Sequence, residues 1–270
     1  MSNISQLAHI HPDAKIGSNV TIEPFAMIHG DVVIGDGCHI MSHSVIMDGA
    51  IIGQNCRIFP GAVISAIPQD LKFVGEKTTV EIGDGTTIRE CVTINRGTKD
   101  KWKTAIGDNC LLMAYSHVAH DCILGNHVIL ANGVQLAGHV EVGNYAIISG
   151  LSGAVQFTRI GSHTYVAGNA VVRKDVPPFV KAAREPMSFA GINSVGLQRA
   201  KFSDEKIEEI TNIYRILFIE KNTTSKAIER IEREFTESPE RNAILDFIKS
   251  SKIGIIKRPS KSAGDEDSTY

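Results

Sequence analysis

Residues 4–64 read ISQLAHIHPDAKIGSNVTIEPFAMIHGDVVIGDGCHIMSHSVIMDGAIIGQNCRIFPGAVI, and every sixth residue of this stretch, from Ile4 to Ile64, is isoleucine. A period of six fits neither an α-helix, which repeats every ~3.6 residues, nor a two-sided strand, which repeats every ~2. It fits a prism of three short β faces, each of which points one aliphatic side chain inward. The stretch therefore predicts a solenoid with a continuous aliphatic core.

The same phase continues downstream with aliphatic residues, at Ile82, Ile88, Ile94, Ile106, Leu112, Val118, Leu124, Leu130, Leu136, Val142, Ile148, Ala154, Ile160, Val166 and Val172. A longer period lies on top of it, because glycine follows the aliphatic residue in every third hexad, at Gly17, Gly35, Gly53, Gly107, Gly125, Gly143 and Gly161. Three hexads therefore make one coil. We expect these glycines to supply a corner backbone angle that a β-carbon disfavours.

The phase survives two interruptions, at about residues 66–79 and 97–103. Both are predicted to be loops that leave the solenoid and return in register. Long loops on a rigid scaffold are common sites of binding or catalysis. We expect the β domain to cover residues 1–190.

A second architecture follows an irregular stretch that we expect from Val176 to Phe202. Helical spacing of apolar residues, with Ser203 as N-cap, predicts a first helix. A second is expected over residues 225–235, and the pair Ser238 and Pro239 opens a third. We expect a small α-helical domain over residues 191–256 and a disordered tail over 257–270.

The chain has 270 residues, 43% hydrophobic content and a net charge of −2. This charge does not favour nucleic acid, and no segment has the apolar length of a membrane span. The N-terminus does not resemble a secretory signal, so a cytoplasmic location is expected. The five cysteines, which lack metal-site spacing, are interpreted as small reduced packing residues: Cys38, Cys56, Cys91, Cys110 and Cys122.

The hexads resemble the hexapeptide-repeat acyltransferase superfamily, whose fold is the left-handed parallel β-helix and whose members are usually trimers. Within it, several segments resemble the family of UDP-N-acetylglucosamine O-acyltransferases, as does the helical tail. These segments are QDLK at 69–72, TINRGT at 93–98, SHVAHDC at 116–122, LAGH at 136–139 and DVPP at 175–178.

The resemblance implies transfer of a 3-hydroxyacyl chain from acyl carrier protein to UDP-N-acetylglucosamine in lipid A biosynthesis, by a homotrimer without metal or cofactor. It implies a catalytic base at His120, an orienting partner at Asp121, an oxyanion donor at Gly138 and an acyl-pocket position at Gly168. The implied substrate-binding residues are Asp70, Lys72, His117, His139, Gln156, Asn193 and Arg199.

The residues themselves agree with this chemistry. Attack of a sugar hydroxyl on a thioester requires a base near neutral pH, and histidine is suited to that. Since Val118 points inward, we expect His120 to be accessible to solvent or ligand. Adding one coil of eighteen residues places Asp121 near His139 and His120 near Gly138.

The sequence departs from the family pattern at four positions, of which Val155 lies beside the implied sugar site and Val195 near the implied nucleotide site. Asn95 and Val155 each replace a histidine, Val195 replaces a glutamate, and Ala200 replaces an arginine. The positions implied to be catalytic are unchanged.

Other functions remain to be weighed against the acyltransferase. A β-helix carbonic anhydrase would need three histidines on one metal, for which His117, His120 and His139 are candidates. The related N-acyltransferase carries an N-terminal uridine-binding domain, for which the hexads beginning at Ile4 leave no room. An acetyl-CoA-dependent sugar acetyltransferase and a purely structural solenoid are further alternatives, and most of the ten histidines are ordinary surface residues.

Overall fold

The structure is a computed structural model that describes residues 2–220 and 223–258. Up to Val172 the chain winds in coils of three short strands, and each strand pairs with the strands of the coils above and below it. Pairing is parallel and in register, so that His117 lies beside Gln135 and Val118 beside Leu136. The expected three-faced parallel β-helix is confirmed.

The strands, numbered β1 to β28 in chain order, form three sheets. Sheet A contains β1 (Asn3–Ile4), β4 (Thr21–Ile22), β7 (His39–Ile40), β10 (Arg57–Ile58), β13 (Thr87–Ile88), β16 (Leu111–Leu112), β19 (Ile129–Leu130), β22 (Ile147–Ile148), β25 (Tyr165–Val166), β27 (Val180–Ala183) and β28 (Ser188–Ile192). Sheet B contains β2 (His9–Ile10), β5 (Met27–Ile28), β8 (Val45–Ile46), β11 (Val63–Ala66), β14 (Thr93–Asn95), β17 (His117–Val118), β20 (Gln135–Leu136), β23 (Gly153–Ala154) and β26 (Val171–Val172). Sheet C contains β3 (Lys15–Ile16), β6 (Val32–Ile34), β9 (Ala50–Ile52), β12 (Thr79–Ile82), β15 (Lys103–Ile106), β18 (Ile123–Leu124), β21 (Glu141–Val142) and β24 (Arg159–Ile160).

The hexad residues form the core of the β-helix. Ile28, Leu112 and Ile148 are fully buried, as are most members of the series. Burying such a side chain stabilises the fold by about 1.5–3 kcal/mol relative to leaving it exposed. Ile4 is 43% exposed because it belongs to the first coil, which has no coil beneath it.

A second buried position lies two residues before each hexad residue, and the sequence reasoning did not identify it. Small side chains occupy it, which fits the limited space at a corner: Val20, Ala26, Val32, Cys38, Ser44, Ala50, Cys56, Ala62, Cys110 and Cys122 are examples. Four of the five free thiols are therefore corner packing residues, as expected. Cys91 is exposed, so the packing interpretation is wrong for that residue.

The periodic glycines are explained by crowding between coils. None of them has a positive φ, so the expected role in supplying an unusual backbone angle is wrong. A β-carbon on Gly107 would overlap Asn126 Oδ1 and would lie 2.6 Å from the carbonyl carbon of Gly125. Asn126 Oδ1 accepts a hydrogen bond of 2.9 Å from the N–H of Asp108, so it occupies the space of the missing side chain.

We expect Gly107→Ala to destabilise the fold by about 1–3 kcal/mol, the usual cost of overpacking. Its neighbours are backbone atoms and a hydrogen-bonded amide, which cannot move freely. Urea unfolding monitored by circular dichroism measures the change. Gly153→Ala is the control, because its β-carbon would meet nothing closer than 3.6 Å. Equal stability of the two variants would contradict the crowding explanation.

Both predicted loops are present as segments without strands. One runs over residues 67–78, between β11 and β12, and the other over 96–102, between β14 and β15. In both cases the next strand resumes the stack: β12 pairs with β9, and β15 pairs with β12. The second loop is important below because it contacts the coil that carries His120.

The stretch from Val176 to Phe202, expected to be irregular, is largely ordered, so that expectation is wrong. Strands β27 and β28 form an antiparallel hairpin on sheet A, in which β27 pairs with β25. Val180 and Ala182 point inward and are fully buried, and they extend the core by one layer. The pair Pro177 and Pro178 obscured this pattern in the sequence.

Four α-helices complete the described chain: α1 (Ser194–Arg199), α2 (Asp204–Tyr214), α3 (Thr224–Glu234) and α4 (Pro239–Lys249). A π-helical turn, Arg215–Ile219, follows α2. Ser203 and Ser238 cap α2 and α4 as predicted. Thr223 caps α3, so this helix begins one residue earlier than expected. Buried residues such as Ile210, Ile244 and Leu245 form the helical core.

The end of the described chain returns to the β-helix. Lys257 forms a parallel bridge with Ser188, and Arg258 Nη1 donates to the carbonyl of Ile219 over 3.1 Å. These two residues were expected to belong to a disordered tail, and their contacts contradict that. The rest of the expected tail, residues 259–270, lies outside the described residues.

Candidate active site

His120 and Asp121 form a buried pair just after β17. His120 Nδ1 lies 2.8 Å from Asp121 Oδ2. A carboxylate only accepts hydrogen bonds, so the ring donates through Nδ1 and keeps the lone pair of Nε2 free. The second ring nitrogen can therefore accept a proton, which is the arrangement that a general base requires.

His120 is less accessible than expected, since only 5% of its surface is exposed in the chain. The expectation of an accessible histidine was based on Val118, which points inward and should leave its neighbours on the outer surface. The structure shows that the neighbouring loop at 96–102 and the next coil cover the pair. Asp121 is completely buried.

Asp121 accepts four hydrogen bonds that orient its carboxylate. Oδ1 accepts from the backbone N–H groups of Thr98 (3.0 Å) and Lys101 (3.1 Å). Oδ2 accepts from the Thr98 hydroxyl at 2.7 Å in addition to the bond from His120. Burial by itself would raise the pKa of Asp121, but these donors together hold it below its usual value. The carboxylate is therefore ionised at neutral pH.

Thr98 and Lys101 were not identified from the sequence as contacts of the pair. The sequence signals were that their loop leaves the repeat and returns in register, and that Thr98 ends the segment TINRGT. The backbone N–H of Asp121 donates to Thr104 Oγ1 over 2.9 Å, so a further residue of the same region fixes this corner.

Gly138 lies directly against the His120 ring, as the spacing of eighteen predicts. A β-carbon on Gly138 would stand 2.6 Å from His120 Cε1 and 2.7 Å from Nε2. Within the described part of the chain the N–H of Gly138 has no hydrogen-bond acceptor. A free N–H on a residue that packs against the ring is a candidate donor to an oxyanion.

His139 lies on the other side of the pair. Its Nε2 is 3.9 Å from Asp121 Oδ2, and its Nδ1 is 3.1 Å from a carboxylate oxygen of Asp100. The ring stacks on Phe157 with 4.4 Å between centroids and meets His120 edge-on. The structure therefore brings together four of the residues singled out in the sequence.

His120, Asp121 and His139 could also be read as metal ligands, because their donor atoms lie within 4.8 Å of one another. His117, which a three-histidine site would need, is not part of this group. Both oxygens of Asp121 already accept two hydrogen bonds each from Thr98, Lys101 and His120. This saturation favours proton transfer over metal binding.

A mainly apolar groove of about 470 Å³ is lined by Ala137, the chain neighbour of Gly138, and by residues of β17, β20 and β23. His117, Val155 and Gln156 line it, so the departure at Val155 makes this wall less polar. His117 Nδ1 lies 2.7 Å from the Thr93 hydroxyl, and burial lowers the pKa of His117. The His117 imidazole at this edge of the groove is therefore neutral.

The other residues implied by the resemblance lie elsewhere in the single chain. Asp70 and Lys72 are in the loop at 67–78, where Asp70 Oδ1 accepts from the Lys72 N–H at 2.9 Å. Asn193 caps α1 and donates through Nδ2 to the carbonyl of His163 over 2.9 Å. Arg199 ends α1 and is exposed, and Gly168 lies on an exposed turn. None of their recorded contacts reaches the His120 pair.

The remaining departures fall on these outlying parts. Asn95 is buried and donates through Nδ2 to the carbonyl of Ile67 over 3.0 Å, which ties down the loop at 67–78. Val195 is 47% exposed in α1, and Ala200 is the C-cap of the same helix.

Cysteine chemistry has little support at this site. Cys122 follows the pair in sequence, but burial raises the pKa of its thiol to about 12. A thiol with such a pKa is protonated at neutral pH and is a poor nucleophile.

No helix in the described part of the chain has the length and apolar character required to cross a membrane.

Comparison with known proteins supports one family. Residues 31–66 and 103–138 match the family described as bacterial transferase hexapeptide (six repeats), and residues 175–256 match domain 2 of the UDP N-acetylglucosamine O-acyltransferases. A protein of Aliivibrio fischeri (strain MJ11) named acyl-[acyl-carrier-protein]--UDP-N-acetylglucosamine O-acyltransferase is 49% identical over 261 residues, covering 94% of this chain and 100% of its own. A protein of the same name from Thiobacillus denitrificans is 43% identical over 191 residues, or 70% of this chain and 74% of its own.

Solved structures agree. A UDP-N-acetylglucosamine acyltransferase from Bacteroides fragilis 9343 superposes with a TM-score of 0.93 at 50% identity, covering 94% of this chain and 99% of that one. A UDP-N-acetylglucosamine acyltransferase from Arabidopsis superposes with a TM-score of 0.82 at 32% identity, over 94% and 100% of the two chains. The fold is thus the expected left-handed parallel β-helix followed by a small α-helical domain. The chain belongs to the family of UDP-N-acetylglucosamine O-acyltransferases.

Proposed function

We propose that this protein transfers a 3-hydroxyacyl chain from acyl carrier protein to the 3-hydroxyl of UDP-N-acetylglucosamine, as a step of lipid A biosynthesis in the cytoplasm. The observation that carries the proposal is the buried His120–Asp121 pair, with Gly138, whose N–H is free, packed against the ring. A base and an oxyanion donor close together are the two elements that acyl transfer needs.

The mechanism is direct transfer. His120 Nε2 removes the proton of the sugar hydroxyl while that oxygen attacks the thioester carbonyl. The Gly138 N–H stabilises the oxyanion, and collapse of the tetrahedral intermediate breaks the carbon–sulfur bond. The proton taken by His120 then passes to the departing thiolate. Asp121 is negatively charged throughout and stabilises the protonated ring, which explains why its low pKa is useful.

The residues that line the groove, and the implied site residues that lie away from it, bind the substrates. His117, His139 and Gln156 bind the sugar and its phosphates, and Gly168 lies at the end of the acyl pocket. Asp70 and Lys72 bind the sugar, while Asn193 and Arg199 engage the nucleotide, each from a part of the chain away from His120. A site assembled from neighbouring subunits of a homotrimer accounts for that separation.

Exposed apolar side chains support such an assembly. On the loop at 67–78, Ile67 is 57% exposed and Val74 is 84% exposed, and Leu71 is fully exposed. Contact with another subunit would remove this surface from water, which is favourable by about 25 cal/mol per Å².

The proposal is tested by incubating the protein with UDP-N-acetylglucosamine and a panel of 3-hydroxyacyl carrier proteins of increasing chain length. Mass spectrometry should detect the acylated sugar nucleotide with one preferred chain length. In the absence of the acceptor, the mass of the protein should stay unchanged, because no acyl-enzyme forms. A folded protein that yields no product with any donor would refute the proposed reaction.

A further inference from the structure

The loop at 96–102 is joined to the buried pair through a single carboxylate. Of the four hydrogen bonds that Asp121 accepts, three come from this loop and one from His120. The loop itself is anchored at both ends. Gly97 N–H donates to the carbonyl of Thr79 over 3.2 Å, and the carbonyl of Trp102 accepts from the Thr79 N–H over 3.1 Å.

Thr98 differs from the other donors of the loop because its hydroxyl donates to Asp121 Oδ2, the same oxygen that accepts from His120. Both His120 Nδ1 and Thr98 Oγ1 donate to Asp121 Oδ2, over 2.8 and 2.7 Å. The direction of the Thr98 bond is fixed, since a carboxylate can only accept. The hydroxyl oxygen in turn accepts from the Asp100 N–H at 3.3 Å.

This geometry constrains Asp121 at both of its oxygens. With two donors on Oδ1 and two on Oδ2, the carboxylate cannot rotate without losing several bonds in a buried setting. Thr98 is 7% exposed, so water does not readily replace its hydroxyl. A group that orients the partner of a base also sets the orientation of the base.

We propose that Thr98 is a positioning residue of the acyl-transfer site, whose hydroxyl holds Asp121 so that Asp121 keeps the His120 ring in the orientation and tautomer of a general base. This role rests on the proposed function. Thr98 does not touch the reacting atoms, and it acts through Asp121 alone. The loop at 96–102, which lies outside the regular coils, therefore supplies the residue that fixes the orientation of the pair.

The test compares Thr98→Val, which removes the hydroxyl at nearly constant shape, with Thr98→Ser, which keeps it. We expect Thr98→Val to lower kcat by about 10- to 100-fold, as for loss of an orienting partner. KM for UDP-N-acetylglucosamine should change by less than roughly threefold, because binding of the ground state is unaffected. Thr98→Ser should restore most of kcat.

The pH dependence gives a second readout. The hydroxyl bond helps to lower the pKa of Asp121, so its loss in Thr98→Val should raise that pKa. NMR titration of the Asp121 carboxyl carbon measures this upward shift directly. The matched control is Thr86→Val, since Thr86 is a buried threonine that likewise donates one bond (to the Gly107 carbonyl, 2.8 Å) and accepts one. This control should lose stability without a change in the pKa of Asp121.

Three outcomes would overturn the role of Thr98. They are a Thr98→Val variant with near-normal kcat, an Asp121 pKa that Thr98→Val leaves unshifted, or a Thr98→Ser variant as impaired as Thr98→Val. Failure of the proposed reaction is distinguished by proton NMR without substrates. The His120 Nδ1 proton, hydrogen-bonded to Asp121, should give a downfield resonance in the native protein and in Thr98→Ser, shifted or lost in Thr98→Val.

Discussion

Replacement of His120 by alanine is expected to lower kcat/KM for acyl transfer by about 1,000-fold, within the range found for a positioned general base. The variant keeps the groove and the Gly138 N–H, so substrates should still bind. It lacks the nitrogen that takes the proton of the sugar hydroxyl. Asp121 cannot substitute, because its low pKa makes it a weak base and its oxygens are already occupied by Thr98 and Lys101.

Steady-state kinetics on matched preparations measures the loss, and the control is His127→Ala. His127 is an exposed corner histidine that stacks on Tyr145 at 4.5 Å between ring centroids. It lies outside the groove, so its replacement should leave turnover unchanged. If His120→Ala retained turnover within about tenfold of the native enzyme, His120 would not be the base and His117 would become the candidate.

The core of the fold could be predicted from the sequence because a period of six is a local property. Each hexad residue such as Ile58 or Leu130 points inward whatever its neighbours are, and register follows from counting eighteen. The same counting predicts that Gly138 lies against His120 and that His139 lies near Asp121, and both contacts are present. These contacts are between successive coils, where the spacing is constant.

Features that depend on contacts outside the repeat could not be predicted. The burial of His120 depends on a loop whose path no period describes, and Thr98 donates to Asp121 across that loop. The periodic glycines had a plausible local explanation that was wrong, because the crowding atom at Gly107 belongs to another coil. Asn193 and Arg199 belong to α1, outside the repeat, so counting coils does not predict where they lie relative to the pair.

Replacement of Gly138 by alanine is expected to lower kcat by about 100-fold, because a displacement of the reacting groups of about 1 Å has that effect. The added methyl group would lie 2.6 Å from His120 Cε1, so the ring must shift. The ring is held on its other side by Asp121, and the shift would therefore strain the hydrogen bond of 2.8 Å between them. The same movement carries Nε2 away from the Gly138 N–H that is to stabilise the oxyanion.

Gly30→Ala is a close control for Gly138→Ala, because a β-carbon on Gly30 would also meet a histidine ring, at 2.9 Å from His11 Nδ1. His11 is 46% exposed in its side chain and can turn aside into solvent, whereas His120 cannot. Both variants should unfold at similar urea concentrations, and only Gly138→Ala should lose kcat. A Gly138→Ala enzyme with native kcat would show that the His120 ring tolerates displacement and that the space above it has no catalytic importance.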